Sequence, residues 1–289
     1  RVAVRAGAVA EDAAAVVAAV ERRLGAGLSL RRRHVADVLA HPASVDLLEI
    51  VADHYFTPAR RDELAVLNER FTLVPHGLEL SLGSAAGVPA DYLRDLAALI
   101  AAIDPPYWSE HVAFTRVGER RIGHLAPIPF TREALDVFVC NVARVRESIE
   151  QPLILENIAC PFDIPYAEFT EAEFLTLLVE RTGCGLLLDV ANLFYNALNR
   201  GQDPRACLDR YPLEAVVQCH LAGGHRAGDE WVDSHAESVP EPVWDLFAEV
   251  CRRVPLRASI VERDEHLPAF LDLAHEVARA RDLMRGTSA

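Results

Sequence analysis

The sequence contains no lysine; all 29 of its formal positive charges are arginines. A metal-dependent sugar isomerase wants a lysine beside its metals, an amine whose proton affinity shifts readily on burial, and none is on offer. Positive charge is also outweighed: 43 acidic residues leave a formal net charge of -14. That balance is a poor match to a phosphate backbone, so an abasic-site endonuclease, or any nucleic-acid partner, is disfavoured. Paired cysteines are missing too. The six thiols (Cys140, Cys160, Cys184, Cys207, Cys219 and Cys251) are scattered, with no Cys-x-x-Cys, and several sit in apolar runs. Such cysteines behave as small hydrophobes, which points to a reducing cytoplasm rather than a disulfide framework. No run of about 20 apolar residues could span a bilayer, and no charged-then-apolar segment opens the chain. The expectation is a soluble cytoplasmic protein with no membrane partner.

What is present is alternation. Apolar, strand-like runs fall at 25–30, 45–52, 72–82, 107–114, 152–158, 184–189, 216–224 and 257–264. Helical patterns lie between them, at 31–41, 58–70, 89–103, 131–150, 171–181, onward from 190 to about 210, and 240–253, with a helical tail. Longer loops are expected at 115–129 and before residue 235. Strand and helix in alternation imply parallel strands joined by crossovers. Eight such units in 289 residues fit a closed (β/α)8 TIM barrel better than an open doubly wound sheet, because no glycine-rich phosphate loop follows the first strand. A composition 51% hydrophobic supplies the core. Residues 1–24 read as an extra N-terminal helix and 25–289 as a single-domain barrel.

In such a barrel the chemistry sits at the carboxyl ends of the strands. There the chain places Glu49, Asp53 and His54; His76 and Glu79; Glu110 and His111; Glu156 and Asn157; Asp189 and Asn192; His220, His225, Asp233 and His235; Glu262 and Asp264. Asp189 closes the apolar run CGLLLD and has two readings: a cap on the helix that follows, or a buried carboxylate that needs a cation. Singly, each residue has such a bland alternative. Together, converging carboxylates repel and desolvate one another unless cations sit among them. Imidazole with carboxylate, without thiolate, suits iron, manganese or zinc. Four histidines and four carboxylates are too many for one ion, so two or three metals sharing carboxylates is the economical arrangement. Asp233 and His235, two apart on an extended segment, face the same way. The aromatics Tyr55, Phe56, Tyr107, Trp108 and Trp231 lie near the predicted rim, where packing competes with a peptide channel.

These motifs resemble the multinuclear non-haem iron-dependent oxidative enzymes (MNIO), which modify ribosomally made peptides. The resemblance runs from about residue 25 to 266. It is carried by GAGLSLRRRH, HGLELSLG at His76, SEHVAF at Glu110 and His111, LENIACP at Glu156, LLLDVANLFYNALN, CHLAGGH, DSH at Asp233 to His235, and VERD at Glu262. It implies a barrel related to xylose isomerase and endonuclease IV, with two or three irons (Fe2+/Fe3+) and O2 as co-substrate. The implied ligands are His76, His111, Glu156, Asp189, Asn192, His220, Asp233, His235 and Glu262, with Glu156 bridging. Asn157, Asn196 and Arg263 are implied as orienting groups, with Glu110, His54 and His225 as further candidates. The implied activity is oxidation of a precursor peptide, at cysteine, in RiPP biosynthesis, the peptide being delivered by its leader with the help of a small recognition protein. The chain departs from the family after strand two, where Glu-x-His-x-Glu-Asn is replaced by Glu49-Ile50-Val51-Ala52-Asp53-His54. That bears on a third metal. A divalent-metal isomerase or endonuclease-like enzyme, and a non-catalytic metal-binding subunit, are the competing readings.

Overall fold

The computed structural model describes Val20 and residues 22–286. Eight parallel strands close into a barrel: β1 (Gly25–Ser29), β2 (Leu47–Val51), β3 (Thr72–His76), β4 (Trp108–His111), β5 (Leu153–Glu156), β6 (Gly185–Asp189), β7 (Val216–Leu221) and β8 (Ala258–Val261). Each pairs with its neighbours in sequence, and β1 closes on β8. Closure brings backbones close: a Cβ on Gly27 of β1 would lie 2.3 Å from the Leu47 carbonyl of β2. The chain is therefore a TIM barrel.

The crossover helices are α1 (Val35–Ala40), α2 (Arg61–Arg70), α3 (Ala90–Ile103), α4 (Arg132–Arg146), α5 (Glu171–Thr182), α6 (Val190–Asn199), α7 (Pro204–Leu208), α8 (Glu241–Arg253) and α9 (Phe270–Gly286). Local chemistry fixes their ends. Before α5, Thr170 and Glu173 form a reciprocal capping box, and Gly183 takes the left-handed conformation that ends the helix. The longer helices bury an apolar stripe, as α8 does with Val243, Trp244, Phe247 and Val250.

The barrel interior explains why the rim is polar. Side chains two apart on a strand share a face. Leu47, Val74, Ile154, Leu187 and Ile260 belong to one buried apolar cluster with Tyr107, Val217 and Val20. Two residues further along the same strands stand Glu49, His76, Glu156, Asp189 and Glu262, all buried. The inward face thus changes from apolar to ionisable as each strand reaches its carboxyl end. A polar column links floor and rim: Tyr107 Oη donates to Gln218 Oε1 (2.7 Å), and Gln218 Nε2 donates to Glu49 Oε2 (2.8 Å). Tyr107 and Trp108 are therefore packing residues, not channel walls.

The structure departs from the sequence reading in several places. The segments expected as loops are antiparallel hairpins, Ala113–Val117 with Arg120–Pro127, and Gly223–Ala227 with Glu230–Glu237. Each turns on two residues, with Gly118 or Gly228 at positive φ (58° and 64°), the hairpin geometry that glycine permits. The helix expected from 190 to 210 is split into α6 and α7 around Gly201 at φ 62°. Strand β3 ends at His76 rather than running to 82. The helix expected over 1–24 lies largely outside the described residues; Val20 and residues 22–24 are not helical. All six cysteines are free, and no described helix is long and apolar enough to cross a membrane.

Candidate metal centre

Three overlapping groups of potential ligands form at the carboxyl ends of the strands. The first is His76, His111 and Glu156; the second Glu156, Asp189, His220 and Glu262; the third Asp189, Asp233 and His235. Within each group the donor atoms lie within 4.8 Å of one another. Glu156 belongs to the first two and Asp189 to the last two, so two carboxylates are placed to bridge. The first two groups come from strand ends β3 to β8. In the third, Asp233 and His235 come from the second hairpin.

Every imidazole is held from behind. His76 Nδ1 lies 2.8 Å from Ser109 Oγ, and His111 Nδ1 3.2 Å from Glu110 Oε1. His220 Nε2 is 2.8 Å from Glu49 Oε2, and His235 Nδ1 3.0 Å from Asp264 Oδ2. With one nitrogen of each ring engaged from behind, the other is turned inward, where a metal would meet it after displacing its proton. The inward nitrogens face carboxylates. His76 Nε2 and His111 Nε2 are 3.5 and 3.3 Å from Glu156 Oε2. His220 Nδ1 is 3.0 Å from both Glu156 Oε1 and Glu262 Oε2, and His235 Nε2 is 2.6 Å from Asp233 Oδ2.

The oxygens left over fit a cation. Glu156 Oε2, Asp189 Oδ2, Asn192 Oδ1 and Asp233 Oδ1 are buried without a hydrogen-bond partner. Buried acceptors without a donor are costly, and a metal ion satisfies them. The electrostatics agree. Burial, then the negative charges of Asp233 and Glu156, push the Asp189 carboxyl well above its usual range. Burial opposes charge on His111, but Glu156 and then Glu110 carry it up to about 9. His220 and His235 are likewise raised: against burial, Glu262 and Glu49 act on the first, and Asp233 and Glu262 on the second. Without a metal, protons hold this cluster together; a cation would take their place.

The two oxygens of Asp189 have different surroundings. Its Oδ1 accepts from the Asn192 amide (2.7 Å) and caps α6, while Oδ2 is one of the unpartnered acceptors. Asn157 fixes the end of β6 from both sides, accepting from Asp189 N (2.9 Å) and donating to Asp189 O (3.0 Å). Asn196 sits two turns into α6. It accepts from Cys160 N (2.7 Å) and donates to Ile158 O (2.9 Å), holding the loop after β5. Tyr195 of α6 stacks on Trp231 (5.8 Å between ring centroids), and its hydroxyl accepts from Gly224 N (2.7 Å). Trp231 thus anchors the second hairpin to α6.

The remaining candidates lie elsewhere. Arg263 pairs with Glu276 (3.2 Å), not with Glu262. His225 is exposed on the hairpin beside Ser234, and Glu79 pairs with Arg121. His54 is exposed at the wall of the cavity over the centre, and Asp53 accepts from Tyr92 Oη. None of the three groups draws on residues 49–54, where the chain departs from the family pattern. Sequence reasoning missed Ser109 and Arg31. Arg31, which follows β1, grips Asp264 and lines the cavity. Asp233 and His235 meet, but not through extended spacing. His235 is not extended but left-handed (φ 50°). The cavity has a volume of about 550 Å³ and an apolar wall of Val51, Leu78, Leu125, Ile158 and Ala159.

Fold and site together define a TIM barrel with a candidate multinuclear metal centre at its rim. The chain belongs to the family of RiPP precursor modification enzymes MbnB/TglH/ChrH, whose sequence profile matches residues 25–285. Curated relatives include proteins named UPF0276 protein. One from Rhizorhabdus wittichii is 37% identical over 89% of this chain and 94% of its own length. One from Streptomyces avermitilis is 40% identical over 89% of this chain but only 54% of its own length, so that relative is much longer than the matched part. Among solved structures, endonuclease IV from Thermus thermophilus (17% identity, TM-score 0.55, 91% of this chain and 98% of that one) shares the fold. So does D-psicose 3-epimerase from Clostridium cellulolyticum (11% identity, TM-score 0.53, 91% and 98%).

Proposed function

We propose that this protein uses two or three irons and O2 to oxidise a ribosomally synthesised precursor peptide at cysteine. The observation that carries the proposal is the overlap of the three ligand groups through Glu156 and Asp189, with each imidazole fixed from behind. A donor set of imidazole and carboxylate suits iron and accommodates both of its common oxidation states. Iron bound there supplies one-electron chemistry that joins a thiol-bearing residue to O2. The chain's own residues do the rest. Ser109, Glu110, Glu49 and Asp264 keep the imidazoles oriented. The apolar wall of the cavity keeps bulk water from a peptide side chain inserted over the centre. The cavity is too small to enclose a leader segment, so leader capture falls to an outer face of the barrel or to a small partner protein. Free cysteines support a cytoplasmic setting.

The test is anaerobic purification with ferrous iron, then metal analysis and Mössbauer spectroscopy, followed by turnover assays on cysteine-bearing peptides drawn from short reading frames neighbouring its gene. Mixed-valence iron with O2-dependent mass loss or gain on the peptide is expected. Stoichiometric zinc or manganese, with iron unable to replace it, would instead favour an isomerase- or endonuclease-like enzyme. Tight iron binding without turnover, with or without a companion protein, would favour a metal-binding subunit.

A further inference from the structure

We propose that Arg31 and Asp264 form a clasp that seats the second hairpin on the barrel and thereby decides whether the third ligand group holds a metal. The inference rests on the reading of Asp189, Asp233 and His235 as a metal site. That group differs from the other two because Asp233 and His235 stand on a hairpin, not on a barrel strand. His235 also adopts a left-handed backbone (φ 50°), a conformation that a non-glycine residue keeps only when its surroundings impose it. Asp264 imposes it. Its backbone N–H donates to the His235 carbonyl (2.9 Å), and its Oδ2 meets His235 Nδ1 (3.0 Å). One residue thus holds both the main chain and the ring. Asp264 is itself held through Oδ1 by Arg31 Nε (2.8 Å) and Nη2. Arg31 is fixed in turn by Ser29 Oγ (2.8 Å to Nη1) at the end of β1. The clasp therefore runs from β1 across the end of β8 to the hairpin. Among the hydrogen bonds and ion pairs of the described residues, neither Arg31 nor Asp264 meets the first group; Arg31 Nη2 lies 4.0 Å from Glu262 of the second, and the His235 ring that the clasp holds lies 3.7 Å from the same residue. Arg31 and Asp264 are positioning residues.

The experiment compares wild type, Arg31→Gln, Asp264→Asn and the double variant. Each is loaded anaerobically with ferrous iron and assayed for bound metal, and each is examined metal-free by amide hydrogen exchange over residues 223–237. Expected is loss of one ion out of three in each single variant, with the other two retained. Exchange in the metal-free hairpin should rise at least about tenfold. Because the two residues act as one unit, the double variant should do no more than either single one. Unchanged exchange with a full metal complement overturns the clasp, and so does additive loss. Loss of all ions together also overturns it, because the effect would then not be local. If the hairpin loosens in the metal-free variants while wild type never binds a third ion, the reading of the third group has failed and the metal-selecting role falls with it. The exchange data keep that failure distinct from failure of the contact.

Discussion

The barrel rim and the second hairpin bring candidate ligands to one cluster by different means. At the rim, His76, His111, Glu156 and Asp189 end their strands, and each is positioned by a sheet hydrogen-bonded on both sides. On the hairpin, Asp233 and His235 depend on Asp264, on the Tyr195–Trp231 stack and on Asn199, which holds Trp231 N and O at 2.8 Å each. The rim ligands therefore inherit the stability of the fold. The hairpin ligands have only their docking contacts, and regions with few such contacts open at lower free energy. Metal positions in one cluster need not be equally permanent.

The largest effect should come from Glu156→Gln, which removes the carboxylate shared by the first two groups. Both rim ions should be lost and turnover abolished, read by metal analysis. Retention of two ions at the rim would show that Glu156 does not bridge.

Asp189 tests the boundary between the regions. Asp189→Asn keeps an oxygen for the cap on α6 but removes the shared charge, whereas Asp189→Ala removes both. Metal binding by the third group should fail in both. Thermal unfolding of the metal-free proteins should separate them, with Ala less stable than Asn by about 1 kcal/mol, the worth of a cap. Equal stability would mean that the cap is not used.

Ser109→Ala leaves His76 in place without its rear anchor. Affinity at the first group should fall by about 10- to 100-fold, the usual consequence of losing such a partner. The hairpin should be unaffected. A loss spread over all three positions would blur the distinction between regions.

A smaller effect is expected with pH. His111 in the metal-free site keeps its proton up to about 9, above the value of roughly 6.5 for a free imidazole. Its contribution to metal-free stability is therefore complete below about 6.5 and fades as pH rises through about 9. Metal must displace that proton, so loading at pH 7.5 should release protons and apparent affinity should climb with pH. Calorimetry in buffers of different ionisation enthalpy reads the release directly; heats independent of buffer would contradict it.

Much of this was legible in the sequence because a strand is a period-two object. Once Leu187 faces inward, so does Asp189, and the same holds for Ile154 and Glu156 or Ile260 and Glu262. The hairpins were legible in principle. Val117-Gly118-Glu119-Arg120 and Ala227-Gly228-Asp229-Glu230 carry a glycine turn between strand-like runs, and reading them as loops overlooked it. Two of the rear contacts were not legible as pairings. Ser109 reaches His76 across 33 residues and Glu49 reaches His220 across 171, contacts set by barrel closure rather than by any local pattern. Arg31 was hidden for the same reason, since only closure of β1 on β8 sets it beside Asp264.

Asp189 works as the fulcrum of a lever. One oxygen is tied to the head of α6, and the other awaits an ion. Further along, the same helix grips the loop after β5 through Asn196 and the hairpin through Tyr195. Any shift at the head of α6 is thus carried to both flanks of the cavity together.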